Sequence, residues 1–124
     1  MNDYKELVIW KQAHEVTLQV LKVIEEFPKN ALTEVITKQV IRSCTSVSAN
    51  IAEGFGGRKG KEFVSYLYQA RKSITETDYW LVLSKEKNLL SQKKYTEMSM
   101  QYSSLLKLLN ATLTKIKDGN LPSL

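Results

Sequence analysis

A chain of 124 residues, 43% hydrophobic and 25% charged, is long enough for one packed core and too short for two. Its formal net charge of +5 is a basic bias well short of a histone-like tail, and with one cysteine and one histidine it can build neither an internal disulfide nor a His/Cys metal site of its own. No run approaches the ~18 apolar residues of a membrane span, and the charged opening MNDYKELVIWKQAHE does not read as a secretory signal, so a cytoplasmic location is expected.

Only two prolines, Pro28 and Pro122, interrupt the chain, which favours long helices. Residues 1–7 read as a short polar lead. The spacing of Ile9, Ala13, Val16, Val20, Ile24 and Phe27 predicts a first helix over 8–26, with Trp10 beside the stripe and Lys11, Gln12, Glu15, Gln19 and Lys22 facing away. Pro28 ends it. Asn30 or Thr33 can cap a second helix, and Thr33 is preferred because Glu34 then falls in the first turn. That helix, 33–55, buries Ile36, Val40, Cys44, Val47, Ile51 and Phe55, and the cluster Gly54, Gly56, Gly57 and Gly60 is expected to break it. A third helix over 61–88 carries Phe63, Leu67, Ala70, Ile74, Thr77 and Leu81 inward. Asn88 or Ser91 marks the next turn. A fourth, 92–117, buries Met98, Tyr102, Leu105, Leu109, Leu113 and Ile116, with Gly119 as the C′ residue. Four amphipathic helices with short connections predict an all-α, up-down-up-down antiparallel four-helix bundle as a single domain over 1–124.

The polar residues of the middle helices are less ordinary. Arg42, Ser46, Asn50 and Glu53 share one face of the second helix, and Arg71, Glu76 and Asp78 lie on the third. Paired carboxylates could serve catalysis. A polar network that fixes helix register or meets another subunit is the preferred reading, because no histidine and no nucleophile with an evident base stands near. The segment GFGGRKGKEF invites comparison with a phosphate loop and fails it. Phe55 stands where the first glycine is needed, Glu62 follows Lys61 where Ser or Thr would bind magnesium, and a helix precedes the segment rather than a strand. A helical-bundle RNase with an arginine shortly before a histidine is not expected, since no arginine precedes His14. No catalytic residue, metal or cofactor is therefore expected.

The positive charge is uneven. Between Lys85 and Lys117 seven lysines (Lys85, Lys87, Lys93, Lys94, Lys107, Lys115, Lys117) face two acids, Glu86 and Glu97, a local excess equal to the whole net charge. Tyr95 and Tyr102 are interleaved with them. Such a surface suits nucleic acid, and equally a solvated outer face. Arg58, Lys59, Lys61, Lys85, Lys87, Lys93, Lys94, Lys107 and Lys115 are the candidate phosphate contacts. Trp10, Tyr66, Tyr68, Tyr79 and Trp80 suit either a wide core or a contact between subunits. His14 is expected to be exposed and Cys44 to be a small core residue.

Taken together, RSCTSVSANIAEG (Arg42 to Gly54), KEF (Lys61 to Phe63) and ETDYWL (Glu76 to Leu81), with the earlier LVIWKQA and the Phe27–Pro28 pair, resemble the four-helix-bundle proteins encoded within 23S rRNA intervening sequences. The resemblance covers roughly residues 4 to 117. It departs at Gly60, where many relatives have a serine, and Val47, Ser48 and Ala49 follow the branch without proline. The resemblance implies a ring-shaped homo-oligomer, with a homopentamer favoured. The family's fold is also similar to the accessory protein of diversity-generating retroelements, a basic pentamer that binds nucleic acid and a reverse transcriptase. The expected function is accordingly that of a non-enzymatic, nucleic-acid-binding accessory factor, possible partners including a reverse transcriptase. The alternative is a protein-interaction scaffold without nucleic-acid affinity of its own.

Overall fold

The structure is a computed structural model that describes residues 3–56 and 60–120. These form four α-helices, α1 (Val8–Ile24), α2 (Ala31–Gly56), α3 (Lys61–Glu86) and α4 (Gln92–Lys117), after a single 3-10 turn at Tyr4–Glu6. At the rise of an α-helix the three long ones each extend about 39 Å. Each helix packs on two neighbours, α1 on α2 and α4, and α3 on α2 and α4, while the diagonal pairs do not meet backbone to backbone. The result is an antiparallel four-helix bundle around one core.

The apolar stripes form that core. Ile9, Ala13, Val16, Val20, Ile24 and Phe27 are buried, as are Ile36 to Ile51 of the second stripe, all six residues of the third, and Met98 to Leu113 of the fourth. Phe55 and Ile116, at stripe ends, are only partly covered. The polar lead hides one core residue: Leu7 is fully buried, held where the 3-10 turn meets α1. His14 is half-buried rather than exposed, stacked on Trp10 at 4.6 Å between ring centroids.

The helix ends follow local hydrogen bonding. Asn30, not Thr33, caps α2, its Oδ1 accepting from Thr33 N–H at 3.0 Å while its carbonyl accepts from Glu34 N–H. Thr33 is instead buried in the first turn. Asn88 adopts φ 62°, and Leu89 N–H returns to the Ser84 carbonyl at 2.9 Å, closing α3 two residues earlier than its apolar pattern suggests. Gly119, at φ 84°, closes α4 the same way through Asn120 N–H and the Lys115 carbonyl. Ser91 caps α4 by accepting from Lys94 N–H.

The glycines divide into two roles. Gly54 lies inside α2 without breaking it, Gly56 is the last residue of α2, and Gly60, at φ 78°, is the turn residue before α3. Gly54 is buried, and a Cβ there would lie 2.6 Å from Tyr66 Cβ. It lets α2 and α3 approach as the closest pair in the bundle, with Ser43, Ala70 and Thr77 buried along the same seam. Gly57 lies outside the described residues.

Candidate nucleic-acid interface

Because α2 and α3 run close, their outward edges share one polar seam. Arg42 binds Glu76 in an ion pair and also reaches Gln39 Oε1 at 2.7 Å. Trp80 Nε1–H donates to the same Glu76 oxygen at 3.1 Å. One turn on, the Ser46 and Ser73 hydroxyls meet at 2.9 Å, and Asn50 Nδ2–H donates to Ser46 Oγ at 2.9 Å. The Arg42 guanidinium, then the Trp80 indole, hold the Glu76 carboxyl below its usual range. The seam forms the floor of an open groove that Gln69, Lys72 and Tyr79 also line. Three of the expected members are elsewhere. Glu53 is exposed and outside the network, and Asp78 faces α4, where it accepts from Tyr95 O–H at 2.8 Å. The reason is helical geometry: Glu76 and Asp78 are two residues apart and point to different neighbours. Arg71 likewise faces α4 and donates to Asn110 Oδ1 at 3.1 Å. Among the described residues no three His, Cys, Asp or Glu side chains are grouped to hold a metal ion.

The candidate cations separate towards the two ends of the bundle. Lys85, Lys87, Lys93 and Lys94 surround the α3–α4 turn, Lys61 and Lys115 lie at the opposite end, and Lys107 stands between. Along α4 the span from Lys93 to Lys115 is about 33 Å. All but the half-buried Lys85 are exposed. Arg58 and Lys59 lie outside the described residues.

Two tyrosines organise charge between α3 and α4, with opposite signs. Lys85 Nζ sits 4.8 Å from the Tyr95 ring centroid, and Asp78 accepts from that ring's hydroxyl. Partial burial, then the bond to Asp78, raises the Tyr95 phenol above its usual range. Tyr68 instead carries two cations, Arg71 at 4.7 Å and Lys117 at 5.3 Å from its centroid, and Lys117 Nζ donates to its hydroxyl at 2.7 Å. Lys117 lowers the Tyr68 phenol. This cluster was not evident in the sequence, because Tyr68 and Lys117 are 49 residues apart. The nearest signal was the three-residue step from Tyr68 to Arg71, which places both on one side of α3.

No described helix is long and apolar enough to cross a membrane. The chain is similar to a solved structure of a protein of unknown function from the S23 ribosomal protein family of Bacteroides thetaiotaomicron, with a TM-score of 0.76 and 25% identity. That match covers 86% of this chain and 98% of the other. No curated protein matches. The profile of the 23S rRNA-intervening sequence proteins matches residues 5–111, most of the chain and all four helices in whole or part. On that match, the chain belongs to the 23S rRNA-intervening sequence protein family.

Proposed function

We propose that this protein is a non-enzymatic, basic, oligomeric nucleic-acid-binding factor of the cytoplasm. The observation that carries the reading is the cationic α3–α4 side, where Lys85, Arg71 and Lys117 are held against tyrosine rings rather than trailing freely in solvent. Cations held in this way are partly ordered before a phosphate arrives, so binding costs less side-chain entropy. Lys61, Lys87, Lys93, Lys94, Lys107 and Lys115 add phosphate contacts.

The family resemblance points to a ring, with a pentamer favoured, and the α2–α3 side offers surface for self-association. Leu32 and Val35 are each 58% exposed and Tyr79 56%, large apolar surfaces at one end of the polar seam. A ring multiplies each basic patch by the number of subunits. A reverse transcriptase is a candidate protein partner for such an accessory factor.

The test is fluorescence anisotropy of labelled RNA and DNA across a salt series, with the mass in solution measured alongside. Binding whose log–log salt slope steepens by about 0.9 per duplex phosphate contact, or about 0.7 on a single strand, is the expected result. So is a mass several times 14.2 kDa. Absent or salt-independent binding would overturn the nucleic-acid reading and leave the scaffold alternative.

A further inference from the structure

We propose that Tyr68, Arg71 and Lys117 form a clamp for the backbone phosphates of a nucleic-acid strand, lying across the α3–α4 groove near the start of α3. This rests on the nucleic-acid reading above and names the place where the strand is gripped.

The clamp is built from both helices. Arg71 lies over the Tyr68 ring and is also tied to Asn110 of α4, so its guanidinium is fixed between a ring and an amide. Lys117 reaches the same ring from the last turn of α4 and donates to its hydroxyl. Both distances are measured to one centroid, so the two cationic centres are no more than about 10 Å apart. Neither forms an ion pair with a described residue; the described pairs are Lys5–Asp3 and Arg42–Glu76. The other tyrosine platform, at Tyr95, has Asp78 bonded to its hydroxyl, and the seam arginine has Glu76. Of these sites, Tyr68 gathers two positive charges, neither of them in an ion pair with a described acid. Like charges held together repel, and an anion between them relieves that repulsion.

The chemistry selects phosphate. Arg71 spends one donor on Asn110 and keeps the rest of its planar fork, which suits phosphate oxygens. Tyr68 and Arg71 are half-buried and Lys117 is exposed, so the cluster is an open surface suited to a passing polyanion. Helical spacing extends it: Lys61 precedes Tyr68 by two turns, and Lys107 precedes Asn110 by one, placing further cations along the groove. Contacts of this kind ignore sequence.

The experiment compares two double variants of the full chain that lose the same charge. Arg71→Gln with Lys117→Gln removes the clamp, and Lys11→Gln with Lys22→Gln removes two exposed cations of α1, a distal helix that does not meet α3 and carries none of the proposed phosphate contacts. The probes are a labelled single-stranded RNA and a labelled DNA duplex. The clamp variant is expected to bind both roughly tenfold more weakly and to lose about 1.4 to 1.8 from the salt slope, while the distal variant loses clearly less. Tyr68→Phe keeps the ring and removes the hydroxyl that holds Lys117, so it falls between wild type and the clamp variant. It serves as the test if the double variant loses its helical circular dichroism. Equal losses in the two doubles would mean that net charge alone acts, and would overturn the clamp. A clamp variant that binds like wild type overturns it too, with the nucleic-acid reading intact. A wild-type protein that binds neither probe overturns both.

Discussion

Tyr102 is 3% exposed, and its hydroxyl has no hydrogen-bond partner among the described residues. Burial, then the nearby Cys44, pushes its phenol far above the usual range. Thr77 faces it and lowers the phenol slightly, but donates its own proton to the Ser73 carbonyl at 2.8 Å and makes no hydrogen bond of normal geometry with the Tyr102 hydroxyl. A buried hydroxyl without a partner costs about 1–3 kcal/mol. Tyr102→Phe is therefore expected to raise the urea midpoint, by roughly 1 kcal/mol of stability; a fall would show that the hydroxyl is satisfied after all. Glu76 gives the opposite case. Its carboxyl is held low in the folded chain, so its contribution is full above the ordinary carboxylate range and fades as pH drops through the folded value. The pair is solvent-screened, so the effect is under about 1 kcal/mol. Glu76→Gln should flatten part of the acid-side decline in thermal midpoint and leave the decline above pH 8 unchanged. Residue roles of this kind were only half legible in the sequence. The four-residue steps from Arg42 to Ser46 and Asn50 marked a real seam, whereas grouping Asp78 with Glu76 ignored that a two-residue step turns a side chain to another neighbour.

Among the elements, the α2–α3 pair depends most on a single position. A Cβ at Gly54 would meet Tyr66 Cβ at 2.6 Å and Phe63 Cδ1 at 2.9 Å, and the first of these cannot turn away because it is fixed to the α3 backbone. Gly54→Ala gains up to about 1 kcal/mol of helix propensity and loses about 1–3 kcal/mol to overpacking. The expected net is destabilisation, read as a lower urea midpoint with unchanged slope. Gly56→Ala is the control. Among the described residues nothing lies within 4 Å of its Cβ, so it is expected to stabilise the end of α2 slightly. The sequence could not separate these two glycines. Composition marks all of them as breakers, and only the residue across the seam decides which is there for space. The end of α3 misled in a similar way, since its apolar pattern runs on until Asn88 turns left-handed.

For the whole molecule, periodicity carried most of the fold: four stripes at three- and four-residue steps became one core, and the short connections left antiparallel neighbours as the natural outcome. Assembly is a separate matter, because an exposed apolar residue on one chain does not announce its partner. Leu32 and Val35 stand on the outer side of α2, so Leu32→Glu with Val35→Glu is expected to reduce the solution mass towards 14.2 kDa while keeping helical circular dichroism. An unchanged mass would place the subunit contact elsewhere on the surface. The basic patches lie towards opposite ends of a bundle about 39 Å long, so a strand held at one end reaches the other only by running along the molecule.

The buried thiol gives the protein a stopwatch of its own. Cys44 is fully enclosed, and burial pushes its pKa up to about 12, so in the closed bundle it offers an alkylating reagent neither access nor thiolate. Reaction must wait until α2 swings its inner stripe into water. With reagent in excess, the rate of labelling in native buffer therefore counts the openings that expose the inner stripe of α2. If subunits clasp one another through α2, that count slows as the protein is concentrated, and one cysteine reports folding and assembly in the same trace.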